Sequence, residues 1–174
     1  MRPEPEDDFQ EWVLGEQALA GALERVRAAG QRTPDLEIAA TEGLWWCSAL
    51  EDWHEARLGN AVYYALRDQV GGVVAGMVWA RNLAAHRLTF VPRFIDIGEP
   101  AIPFVESWDD ELGETVSVGL QWVEIRWPAR NQLPAPPSPD KHRRDLAYDQ
   151  HVAGRALAET LEEALQFFAE EVWR

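Results

Sequence analysis

The sequence predicts a mainly α (α+β) domain: a four-helix bundle that carries a small antiparallel β insertion between its third and fourth helices. Three observations carry this expectation. Apolar residues recur at helical spacing over 9–87 and again over 140–174. Between them, over 88–127, the pattern changes to short runs rich in Val, Ile, Phe and Trp, punctuated by turn residues. A connector at 128–139, with five prolines and almost no large apolar side chain, then separates these runs from the last helical pattern. At 174 residues, 47% apolar and with nine Trp, the chain has the length and buried surface for a single domain spanning 1–174.

The first helix spans 9–29, where Trp12, Val13, Leu19, Leu23 and Val26 recur at spacings that place them on one side, and Gly30 ends it. Thr33-Pro34-Asp35 supplies an N-cap, a first-turn proline and an acid at the positive end of the next helix dipole. That second helix runs to about Leu58, with Ile38, Trp45, Trp46, Ala49, Leu50 and Trp53 as its apolar positions, and Gly59-Asn60 stops it and starts another. The third helix includes Val62, Tyr63, Leu66, Val70, Val73, Val74, Met77, Val78 and Leu83, with Gly71, Gly72 and Gly76 inside it. Gly72 and Gly76 lie four apart on one face, which predicts a close helix contact there, within the chain or across a dimer. Strands are expected over 88–97, 101–108 and 115–127, with Pro92 and Pro103 confining theirs to edges or bulges. Ser138-Pro139-Asp140 starts a single last helix, with Leu146, Ala153, Leu157, Leu161, Leu165, Phe168 and Val172 on its stripe.

Charge and composition exclude several function classes. The one cysteine, Cys47, gives neither an internal disulfide nor a thiolate metal site. The acidic start lacks the apolar core of a signal peptide, and the longest apolar run, 70–80, is about half of a membrane span. The expectation is therefore a cytoplasmic protein without a membrane association. A net charge of −14 argues against broad electrostatic binding to nucleic acid. One segment differs: from Arg57 to Ile95 there are five arginines against the single acid Asp68, a local charge of 5 − 1 = +4.

That segment contains Arg81-Asn82-Leu83-Ala84-Ala85-His86. Its residue types suit metal-independent RNA cleavage. Histidine titrates near neutrality and serves as acid or base toward a 2′-hydroxyl or a leaving 5′-oxygen. Arginine is a permanent planar cation that holds a phosphate and its developing charge. Asn82, four residues before His86, sits on the same helix face and is placed to orient the imidazole. Arg-Asn-x-x-x-His resembles the catalytic motif of HEPN-domain ribonucleases in its letters and in its place at the end of an apolar helix. The resemblance covers that motif and roughly the helical parts of the chain. It implies a HEPN-like bundle, a homodimer whose two motifs meet in one cleft, RNA as substrate and no cofactor. It also implies toxin or defence roles beside a protein partner such as an antitoxin or a complex subunit. Five residues along a straight helix is about 500°, so Arg81 and His86 fall roughly 140° apart unless the helix bends or ends near Ala84.

Other candidates are weaker. Glu51-x-x-His54 has the spacing of a di-iron helix, yet His86, His142 and His151 lack a Glu three residues earlier, so the expectation is a solvated face with His54 half-buried. Tyr148 and His151 are placed to reach the Arg81 region from the last helix, and Lys141-His142-Arg143-Arg144 reads as a basic start to that helix in solvent. The 30 acids against 16 basic residues also fit an alternative function, a non-catalytic acidic HEPN-like interaction or scaffold module that binds a protein partner.

Overall fold

The structure, a computed structural model, describes residues 5–29, 33–87, 93–96, 123–133 and 144–171. Helix α1 (Pro5–Ala29) and helix α2 (Thr33–Leu58) form a hairpin. Its two arms are antiparallel: Gly15 lies against Leu50, and Arg25 bonds to Glu42. Leu19, Leu23 and Val26 of α1 are buried as their spacing requires. The buried face of α2 differs from expectation. Leu36, Ala39, Ala40, Leu44, Cys47 and Leu50 carry it, whereas Ile38 and Trp45 are 59% and 47% exposed. Leucines and small residues hold the inward positions because α2 contacts α1, α4 and α6, which leaves little room for indoles on that side.

The expected third helix is two helices, α3 (Asn60–Val70) and α4 (Gly72–Arg87), broken at Gly71. Gly59, at φ 82, adopts the left-handed conformation that turns α2 into α3. The glycine face of α4 is filled from within the chain: Gly72 meets the His151 ring, and Gly76 meets Val152 and the backbone of Tyr148. Any dimer therefore uses another surface.

Among the described residues, strands β1 (Arg93–Asp96) and β2 (Val123–Arg126) pair antiparallel, with Arg93 opposite Arg126 and Asp96 opposite Val123. The strand expected over 101–108 lies outside the described residues. Trp127 is buried and donates from its indole to Thr160, and a short 3-10 turn follows at Arg130–Gln132.

The last helix is also two, α5 (Arg144–His151) and α6 (Leu157–Gln166), followed by a π turn over Phe167–Glu171. Between them Gly154 takes φ 73, and the extended backbone at 126–127 pairs with the turn. The Trp127 amide donates to the Arg155 carbonyl at 3.0 Å, the Gly154 amide donates to the Trp127 carbonyl at 3.0 Å, and the Arg126 guanidinium donates to the Gly154 carbonyl at 3.1 Å. These bonds satisfy backbone groups that a continuous helix would have satisfied internally. Helices α1, α2, α4 and the α5–α6 pair enclose one apolar core. No helix among the described residues is long and apolar enough to cross a membrane.

The glycine contacts make opposite expectations for two Gly→Ala changes. A Cβ on Gly76 would lie 2.7 Å from Val152 Cγ2 and 2.9 Å from the Tyr148 Cα, so the two helices must separate; a net loss of about 1–3 kcal/mol is expected. On Gly21 it would meet only the flexible end of Arg25 at 3.4 Å, so Gly21→Ala should gain up to about 1 kcal/mol from helix propensity. Urea midpoints that move the same way for both variants contradict this packing.

Candidate functional site

Helix α4 is buried from Val73 to Ala80, and Arg81 and Asn82 are where it next reaches water. Both are partly exposed at the rim of the bundle, beside α2. The Arg81 guanidinium stacks 3.8 Å from the centre of the Trp45 indole and donates to Asn82 Oδ1 at 3.0 Å. Its Nε is buried without a hydrogen-bond partner among the described residues. Asn82 Oδ1 is thus engaged by arginine, while the imidazole it is expected to orient belongs to His86.

Arg81 differs from its counterparts in charge pairing. Arg25, Arg27, Arg67, Arg130, Arg144 and Arg155 each lie within salt-bridge distance of a carboxylate. Arg81 has no carboxylate partner among the described residues. A guanidinium on an indole keeps its charge and most of its donors, so it is the form in which an arginine remains competent for an anion.

The backbone of α4 runs through His86 to Arg87 as one helix, and no helix end falls near Ala84. Ala84 and Ala85 are strong helix formers and continue the ladder. Arg81 and His86 consequently occupy register positions about 140° apart on one chain. The His86 side chain lies outside the described residues. Tyr148 and His151 do not reach Arg81: Tyr148 packs on Trp79, with ring centres 4.9 Å apart, and donates to the Pro128 carbonyl at 2.7 Å, while His151 covers Gly72.

The second polar centre is buried, which corrects the expectation of a solvated Glu51 and a half-buried His54. Both are fully buried. Arg67, from α3, donates to Glu51 Oε1 at 2.7 Å, and Arg144, at the start of α5, lies 3.6 Å from Glu51 Oε2. Arg144 was expected in solvent; its side chain is only 15% exposed because this carboxylate draws it inward. Burial pushes the Glu51 carboxyl up, and the two guanidinium groups offset part of that rise. For Arg67 the balance reverses: burial lowers its pKa, but the hydrogen bonds and charges of Glu51 and, secondarily, Asp68 together outweigh it and raise it.

Around this pair stand aromatic rings. His54 is stacked between Tyr63 and Phe168, with ring centres 6.5 and 5.5 Å away. Burial, and secondarily the charge of Arg57, lower its pKa to about 4. The Tyr63 hydroxyl is buried without a hydrogen-bond partner among the described residues, and burial raises its pKa. Burial likewise raises the Cys47 thiol, which donates to the Met77 sulfur at 3.8 Å and is inert as a nucleophile. No group of three metal-ligating side chains occurs among the described residues. A depression of about 250 Å³ at the α1–α2 turn, lined by Arg25, Ala28, Ala29, Asp35 and Ile38, contains none of the motif residues.

Sequence reasoning missed two partners, Trp45 for Arg81 and Arg67 for Glu51. The first pair is 36 residues apart and the second 16, so no local spacing marks either. The chain matches no family model, no curated protein and no solved structure.

The lowered His54 value sets a pH dependence. Unfolded, the imidazole binds its proton at about 6.5, and folded at about 4, so stability present above pH 6.5 is lost as pH falls toward 4. The full loss is about 3 kcal/mol. The raised Glu51 value acts in the opposite sense as pH falls, so the comparison that isolates His54 is with His54→Phe. Denaturant titrations from pH 7 to 4 should show wild type losing about 3 kcal/mol relative to this variant; parallel curves would contradict a neutral buried imidazole.

Proposed function

We propose that the protein is a HEPN-like, metal-independent endoribonuclease acting in the cytoplasm, with Arg81 as its phosphate anchor and His86 as its acid or base. The observation that supports this reading best is the state of Arg81, a cation at the rim of an acidic bundle, stacked on an indole and without a carboxylate partner among the described residues. Arginine so placed is suited to a phosphate and to the charge that builds on it during transfer. The helical bundle is compatible with a HEPN-like fold, and the paired strands at 93–96 and 123–126 with a β insertion. Because α4 remains helical through Arg87, one chain does not bring Arg81 and His86 to a common face. The proposal therefore includes a homodimer in which Arg81 of one copy works with His86 of the other. The toxin or defence setting, with an antitoxin or complex subunit as partner, belongs to the same proposal.

The continuous helix also favours a second reading, a non-catalytic acidic interaction module in which Arg81 and Asn82 only join α4 to α2. Purified wild type and His86→Ala, incubated with mixed cellular RNA in EDTA, separate the two. On the nuclease reading wild type cleaves without metal, and His86→Ala loses about a hundredfold or more with an unchanged circular dichroism spectrum. RNA left intact by wild type rejects the nuclease and supports the module.

A further inference from the structure

Trp45 lies on the face of α2 that the bundle leaves in water, with 47% of the residue exposed. The Arg81 guanidinium covers one face of its indole at 3.8 Å. The pair therefore presents a cation stacked on one face of a half-exposed indole, on two helices whose mutual position the core sets through Cys47 and Met77. A ligand that satisfies both must carry an anion and a planar ring within a short reach of each other, which is the chemistry of a nucleotide unit.

We propose that Trp45 is the base-stacking and specificity-determining residue of this site, so that the RNA it takes is single-stranded. This rests on the reading of Arg81 as a phosphate anchor. Two physical points select an unpaired strand. In a duplex the faces of the bases are covered by their neighbours, so a lateral indole has nothing to stack on, whereas an unpaired base can be splayed onto it. Moreover, a chain of net charge −14 holds a phosphate backbone poorly by charge alone, so stacking supplies a large share of the affinity. One arginine on one phosphate then gives a shallow salt dependence, with a slope of log K against log salt of about −0.7.

The test is fluorescence anisotropy with labelled 2′-fluoro oligonucleotides, which lack the attacking hydroxyl and stay intact. Three probes of equal length are used: a single strand, the same strand with abasic positions, and a duplex. Wild type should prefer the single strand. Trp45→Ala and Trp45→Gln should each bind it about tenfold more weakly, while binding the abasic and duplex probes as wild type does. Trp45→Phe should recover most of the affinity, and Trp46→Ala, which removes the neighbouring indole, should retain it. Single-strand affinity unchanged in both Trp45→Ala and Trp45→Gln, or an equal loss on the abasic probe, overturns the stacking role and leaves the phosphate anchor standing. Wild type that binds no probe overturns the RNA reading and this inference together. Wild type that binds with the expected Trp45 dependence but leaves natural RNA intact supports the stacking role and rejects cleavage.

Discussion

The buried carboxylate of Glu51 is the constraint on which the bundle depends. A carboxylate with no access to water is stabilised where cations reach it, and here they come from two other helices, Arg67 on α3 and Arg144 at the start of α5. Three elements separated in sequence are thereby held to one register. Exchange of such a pair for apolar residues is often neutral in stability, so its main effect is on which arrangement is allowed. The rings of His54, Tyr63, Phe167 and Phe168 close around this centre, which joins the C-terminal π turn to α2 and α3.

The second constraint is steric. Glycine at 72 and 76 lets α5 approach α4 closely enough that the Tyr148 backbone touches the α4 surface. The same approach places Tyr148 over Trp79 and its hydroxyl on the Pro128 carbonyl, which fixes the extended segment after β2. That segment in turn bonds to the Gly154 turn and divides the C-terminal helix. A close helix contact, a buried tryptophan and a broken helix are parts of one arrangement.

Arg81 acquires its character from what surrounds it. Acids outnumber basic residues 30 to 16, so most described arginines are met by carboxylates across helix boundaries. Arg81 emerges where α4 leaves the core, and the side chain opposite it on α2 is an indole. Cation–π stacking orients the guanidinium without neutralising it. A surface rich in acid thereby retains an oriented cation at Arg81, between the buried apolar residues Ala80 and Leu83 of α4 and beside the partly exposed Asn82.

What the sequence determined by itself was local. The start of α2 at Thr33, the break at Gly59, the inward positions Leu19, Leu23 and Val26, the helical character of the chain and the expectation that Gly72 and Gly76 mark a close contact all follow from spacing and turn chemistry, which act within a few residues. The motif Arg81-Asn82-x-x-x-His86 was equally legible as letters. The tertiary structure alone decided the rest. Ile38 and Trp45 face water because the opposite side of α2, with its leucines and small residues, packs between three helices, a choice that apolar periodicity cannot make when both sides of a helix are apolar. Glu51 and His54 are buried because cations and rings distant in sequence cover them. Arg81 meets Trp45 instead of an acid because the α2–α4 contact sets them opposite each other, 36 positions apart, and only packing brings such residues together.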